Sequence, residues 1–176
     1  MATTQGVLPR DANNVAVQRY GLQTSKTVTL TGNGTVALPL FHVTGSVLVN
    51  GIYGVVTTAL GSNVTAAYWR LNDQTAQVDI SLATGTTISS AQIGSTFTRR
   101  STVGVALSNL ASSAGTVSDP VAAAVPDYFM PFVLIKNNSA VTDIEFVYTT
   151  NNSSAGVIKF YVNYTPLSDN GSLDPA

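Results

Sequence analysis

The feature that most constrains this chain is a two-residue alternation of apolar and polar side chains in its last third. Ile144, Phe146 and Tyr148 share one face, while Asp143 and Glu145 share the other. Residues 158–164 repeat the pattern, with Ile, Phe, Val and Tyr alternating with Lys, Tyr and Asn. A period of two is typical of a half-buried β-strand. The polar segment 149–156 between the two runs predicts a long antiparallel hairpin.

Composition extends this prediction to the whole chain. The sequence has 23 Thr but only one Glu and three Lys, so strand-favouring residues are common and good helix formers are scarce. Alternation predicts strands at 27–31 and 35–40, joined by a hairpin turn at Gly32-Asn33-Gly34. Residues 64–71 and 77–83 predict two more strands. Eight or nine strands with almost no helix indicate an all-β, antiparallel β-sandwich of the jelly-roll type.

Residues 46–60 leave two interpretations open. Both faces of this segment are apolar, as in a strand buried on both sides. Asn50-Gly51 fits either a second hairpin turn or a bulge within one long strand. We favour the single long strand, with Gly54 as a second kink.

The chain divides into one sandwich domain with two appendages. Residues 1–24 show no sustained period and contain Pro9, so we interpret them as an extended N-terminal arm rather than a disordered terminus. The sandwich is predicted at 25–166, with a long Ser-, Thr- and Ala-rich insertion at 84–127. Residues 167–176 are predicted to form a polar tail.

The residues needed for most enzymatic chemistry are missing or isolated. The chain has no cysteine and one histidine, His42. The sequence contains no Gly-x-Ser-x-Gly nucleophile elbow with which His42 could form a catalytic triad. Asp143 and Glu145 could form a glycosidase pair, but we interpret them as a solvated strand face. We therefore expect no enzyme, no metal and no cofactor. We expect Arg99-Arg100, the only basic pair, to be exposed rather than to contact a partner.

Charge excludes two classes of partner. Charged residues make up 10% of the chain and the net charge is −1, against about 25% charged residues in an average domain. We therefore expect no nucleic-acid partner, and no membrane partner because no segment resembles a leader or a span. So few charges are typical of a surface covered by copies of itself or by a partner.

Aromatic residues raise one further possibility, a carbohydrate-binding module. Stacking rings beside Asn and Asp hydrogen-bonding groups would hold a sugar. The candidate rings are Tyr68, Trp69, Tyr161 and Tyr164. Trp69 and Tyr68 are adjacent and must point to opposite faces of a strand, so at most one of them belongs to the core.

Three stretches of the sequence resemble known proteins. Residues 8–13 (LPRDAN), followed by Val15 and Val17, resemble the Pro-Arg-Asp-x-Asn-x-Val-x-Val stretch near the N-terminus of several small tailed-phage virion proteins. Residues 51–58 (GIYGVVTT) and the strands at 143–146 and 156–167 resemble β-rich phage structural proteins. Together these pieces cover about a third of the chain.

The resemblance implies a non-enzymatic virion protein. It would be made in the host cytoplasm, bind the outside of the capsid and cement neighbouring capsomers as a head decoration protein. Its partners would be the major capsid protein and itself, as a homotrimer or homodimer. A tail, neck or fibre-base subunit is the alternative. Within the arm, we expect Leu8, Pro9, Val15 and Val17 to anchor the contact and Arg10 and Asp11 to set its register.

Overall fold

Two antiparallel sheets face each other in the computed structural model of this chain. The structure describes residues 21–83, 87–99, 131–136, 140–151 and 156–176, together with the backbone of residues 108–110. These residues contain strands and turns and no helix. The strands are β1 Leu22–Thr29, β2 Gly34–Thr44, β3 Ser46–Thr58, β4 Thr65–Asn72, β5 Gln77–Asp79, β6 Thr96–Thr98, β7 Ser108–Leu110, β8 Phe132–Ile135, β9 Asp143–Thr150, β10 Val157–Pro166 and β11 Ser172–Pro175.

The strand order confirms the predicted all-β antiparallel sandwich. One sheet has six strands in the order β1-β10-β3-β6-β7, with β8 also paired to β3. The other has five strands in the order β11-β2-β9-β4-β5. Both predicted hairpins are wrong, because β1 and β2 lie in different sheets and so do β9 and β10. The segments between them are arches that cross from one sheet to the other.

A hydrogen bond links the end of β1 to the start of β10 at one end of the sandwich. The Leu30 N–H donates to the Gly156 carbonyl at 2.9 Å. Gly32 and Gly34 adopt φ values of +127° and +91°, a region that glycine enters without strain. Leu30 is fully buried. The glycine-rich turn therefore serves to send the chain across the core, not to fold it back beside itself.

The core lies between the sheets and is centred on aromatic rings. Phe146 of β9 packs against Phe160 of β10, with ring centroids 4.8 Å apart, so the contact spans the two sheets. Trp69 of β4 packs on Phe146 at 5.8 Å. The inward side chains that alternate along β9 and β10 supply this core, as their two-residue period predicted.

β3 is a single strand of 13 residues, which confirms the interpretation of this segment as one long strand and not as a hairpin turning at Asn50-Gly51. Its register with β10 shifts between Asn163 and Tyr164, which pair with Gly51 and Val49. Asn50 is therefore the extra residue of a β-bulge, and its side-chain amide donates to Thr165 Oγ1 at 2.9 Å. Only one face of the strand is buried, so the prediction of burial on both sides is wrong.

The predicted boundaries shift at three places. β1 begins at Leu22, three residues before the predicted start of the domain at residue 25. β5 ends at Asp79 rather than near residue 83, because the N–H groups of Ile80 and Ser81 both turn to the Trp69 carbonyl. The segment 167–176, predicted as a polar tail, contains β11, which pairs with β2 and buries Leu173 in the core.

Candidate interaction surfaces

The predicted docking residues of the arm lie outside the described residues. These are Leu8, Pro9, Arg10, Asp11, Val15 and Val17. The described chain begins at Gly21, which has φ +74°. A Cβ at this position would lie 2.2 Å from the Tyr164 carbonyl oxygen, so the backbone here is pressed against β10 and only glycine fits. Gly21, which follows the first twenty residues in the chain, is therefore held in place against β10, beside the edge strand β1.

The outer face of the five-stranded sheet carries a network of charged side chains. Glu145 Oε2 accepts a hydrogen bond from Arg70 Nε at 2.6 Å, and its Oε1 accepts one from the Asn72 amide at 2.9 Å. Arg70 also donates to Gln77 Oε1 at 2.8 Å. The Glu145 and Arg70 side chains are only 7% and 15% exposed. These contacts tie β4, β5 and β9 together, and sequence reasoning missed them because they join residues far apart in the chain.

His42 forms a separate pair on the same face. Its Nδ1 lies 2.5 Å from Asp143 Oδ1, and its side chain is 47% exposed. Ser46, four residues along the chain, lies at the start of β3 in the opposite sheet, and its N–H donates to Ser168 Oγ. Asp143 and Glu145 do share a face, as predicted, but the prediction that this face is solvated is wrong, because their side chains are only 14% and 7% exposed. Each carboxylate binds a partner on a different neighbouring strand, so the arrangement is one Arg70–Glu145 ion pair and one hydrogen-bonded His42–Asp143 pair.

Arg99 contradicts the prediction that the basic pair is exposed. It is 4% exposed, and its Nε donates to the Ile80 carbonyl at 2.7 Å. Its guanidinium carbon lies 4.4 Å from the centre of the Phe132 ring, a cation–π contact. Burial lowers the pKa of the Arg99 guanidinium. Arg99, which follows β6, therefore links the segment after β5 to β8 from inside the domain. Arg100 lies outside the described residues.

The candidate sugar-stacking rings do not form a platform. Trp69 is fully buried and Tyr164 is 7% exposed, so neither offers a face to a ligand. Tyr161 stacks on Tyr53 of the neighbouring strand, with centroids 4.9 Å apart and planes at 14°. Rings stacked face to face cover one another. Tyr68 points away from Trp69, to the outer face of the other sheet, as the strand period requires.

The same two tyrosines mark the outer face of the six-stranded sheet, which we call the neutral face. Its outward side chains include Leu48, Tyr53, Val55, Tyr161, Val133 and Ile135. Val133 and Ile135 are 52% and 66% exposed. Lys159 adds a charge, and its Nζ lies 5.1 Å from the centre of the Tyr161 ring. Exposed β-branched residues on a sheet face are typical of a contact surface.

A shallow cleft of about 260 Å³ opens near the arches of the sandwich. It is lined by Asn33, Gly34, Ser62, Asn63, Thr65, Thr149, Thr150 and Asn151. The lining carries no charged side chain. Within the part of the chain that the structure describes, no three His, Asp or Glu side chains gather as metal ligands, and no helix is long and apolar enough to cross a membrane.

Comparison with known proteins finds no relative of this chain. No protein-family model matches it, and neither the curated proteins nor the solved structures contain a match.

Proposed function

We propose that this chain is a non-enzymatic structural protein of a tailed-phage virion, which binds the outside of the capsid and cements neighbouring capsomers. The observation that carries the proposal is the root of the arm at Gly21, pressed against the Tyr164 carbonyl of a rigid sandwich. Residues 1–20, attached to the rigid sandwich at Gly21, are long enough to reach a neighbouring subunit. The arm also carries the Pro-Arg-Asp-x-Asn-x-Val-x-Val resemblance.

We further propose that the sandwich is a jelly roll. Four antiparallel pairs are nested along the chain, namely β1–β10, β2–β9, β3–β6 and β4–β5. Successive pairs alternate between the two sheets, as in a long hairpin rolled up on itself. Jelly rolls are common in viral capsid proteins and in lectins. The burial of Trp69 and Tyr164 favours the capsid role over the lectin role.

The proposed contact combines apolar anchor residues in each arm with many repeated binding sites on the capsid lattice. Leu8, Val15 and Val17 bind by extended pairing and burial on the major capsid protein, while Arg10 and Asp11 set the register through paired charges. A single arm of this size binds weakly. Many copies on a regular lattice, and several arms per assembly, raise the effective concentration of each contact. Most described charges on the five-stranded sheet already have partners within the chain, which leaves the arm to supply the specific contact.

The arm can be tested in the full chain by cosedimentation with particles that lack this protein. Replacing Leu8, Val15 and Val17 together by Asp should abolish cosedimentation, because the anchors can no longer be buried. The matched control places the same three charges at polar arm positions, as Asn13→Asp, Asn14→Asp and Gln18→Glu, and should still bind. Binding of the anchor variant at the wild-type level would overturn the proposed role of the arm.

A further inference from the structure

The two outer faces of the sandwich differ sharply in charge. On the five-stranded sheet, five outward side chains are charged and a sixth is a histidine: Arg70, Asp79, Asp143, Glu145 and Asp174, with His42. On the outward positions of β1, β3, β6, β8 and β10, the corresponding set is Lys159 alone. The fold therefore separates a charged face from a neutral face.

The neutral face has the composition of the centre of a protein interface. Interface centres are depleted in charge and enriched in tyrosine and apolar residues. Here the stacked Tyr53 and Tyr161 lie beside Val55 and Leu48, and Val133 and Ile135 extend the apolar surface over β8. Apart from Gly51 and Val157, the remaining outward positions are occupied by Ser, Thr, Asn and Gln, which hydrogen-bond without a charge to desolvate.

We propose that the neutral face is the contact through which two copies of this chain pair, related by a two-fold axis. In such a contact residue i of one copy meets residue j of the other and j meets i, so every charge of the face enters the contact twice and must be desolvated. The charged face would bring five charged side chains from each copy into the contact. The neutral face brings in only Lys159 and its mate, and this charge compatibility favours a second copy as the occupant.

The size of the neutral face agrees with this occupant. β1, β3, β6, β8 and β10 together contain 38 residues, which at about 4.8 Å by about 3.3 Å per residue span a surface of about 600 Å². Specific, stable interfaces begin at about 600 Å² buried on each partner. The inference does not rest on the proposed role in the virion, because the pairing is a property of the isolated chain.

Analytical ultracentrifugation of the full chain tests the pairing. We expect a dimer for the wild type, and a Kd weakened by about tenfold or more for Val133→Asp and for Ile135→Asp, because each places an unpaired charge in the contact. Val78→Asp is the matched control: Val78 is 57% exposed on β5, an edge strand of the other sheet, and the variant should remain dimeric. Circular dichroism confirms that each variant is folded.

Three results would overturn the proposal. The first is a wild-type monomer at about 100 μM, well above the Kd of a specific interface of this size. The second is a trimer, which a two-fold contact of this face does not produce. The third is a dimer that Val133→Asp and Ile135→Asp leave as tight as the wild type, or that Val78→Asp weakens equally. Each of these measurements uses the purified chain without phage particles, so the dimer proposal can succeed or fail independently of the virion proposal.

Discussion

At the scale of single residues, the exposure of the partner separates two carboxylates that look alike in the sequence. Glu145 and Asp143 lie two positions apart on the same face of β9, and their side chains are only 7% and 14% exposed. Glu145 binds Arg70, which is 15% exposed, whereas Asp143 binds a histidine that is 47% exposed. A buried ion pair cannot lose one member without leaving an unpaired charge, while an exposed pair exchanges its partner for water.

We therefore expect unequal effects from the matching substitutions. Glu145→Gln should lower the free energy of unfolding by about 3 kcal/mol, because Arg70 keeps its charge in a site with little access to water. Asp143→Asn should lower it by at most about 1 kcal/mol. Urea denaturation of both variants measures the difference, and equal losses would contradict the ion-pair network described for this face.

Tyr148 makes stability depend on alkaline pH. Its hydroxyl donates to the Thr31 carbonyl at 2.7 Å and accepts from the Thr31 N–H at 3.0 Å. Burial raises the pKa of Tyr148, against a smaller lowering by the Thr31 hydrogen bond. Above about pH 10 the unfolded chain releases this proton while the folded chain retains it, so the free energy of unfolding falls as pH rises.

Comparison of variants isolates this contribution. Denaturation between about pH 8 and 11 should show a shallower alkaline decline for Tyr148→Phe than for the wild type, because the phenylalanine has no proton to lose. Identical slopes for Tyr148→Phe and the wild type would show that the Tyr148 pKa is not raised by the fold.

At the scale of elements, β3 depends on one glycine more than on another. A Cβ at Gly54 would lie 2.9 Å from the Phe160 ring and 3.0 Å from Ile158, both of which belong to the core of β10. A Cβ at Gly51 would meet only the Asn163 side-chain amide, at 3.4 Å. The long central strand thus approaches its neighbour most closely at Gly54.

Alanine substitutions should separate these two positions. Gly54→Ala should lower the free energy of unfolding by about 1–3 kcal/mol, because the core ring must move to admit the methyl group. Gly51→Ala should change it by less than about 1 kcal/mol in either direction. Thermal or urea denaturation provides the measurement. A Gly54→Ala variant as stable as Gly51→Ala would contradict the close packing of β3 on β10.

The elements also show what the sequence can specify. Alternation correctly predicted β9 and β10 and the faces that they turn to the core, because a period of two fixes side-chain direction. It did not predict that Glu145 and Val147, on the outer face of β9, are buried as well. Nor did it predict the partner strands of β9 and β10. An Asn-Gly turn or a polar loop can connect two strands of the same sheet or two strands of opposite sheets. Which connection forms depends on which arrangement buries the apolar faces of both sheets. Arg99 was missed for a related reason, since Phe132, its cation–π partner, lies 33 positions away in the sequence.

At the scale of the whole molecule, the sandwich has three distinct regions. One face carries charged side chains that pair with one another, one face is nearly free of charge, and one edge holds Gly21, where residues 1–20 join the domain. Composition predicted a surface low in charge, but only the fold shows that, among the outward strand positions of the described residues, every charge except that of Lys159 lies on the five-stranded sheet. The arm was predicted from the lack of a sustained period in residues 1–24, and its docking role from a resemblance, which physical reasoning about the sandwich alone does not supply.

The central claim, a capsid-surface structural protein, is tested most directly by copy number. Phage particles would be purified from the lysate in which the protein is made, and this chain quantified against the major shell subunit by mass spectrometry. We predict a ratio close to one per shell subunit, or a simple fraction of it. A handful of copies per particle would contradict capsid decoration and point to the tail or neck, and absence from the particles would contradict the virion role altogether.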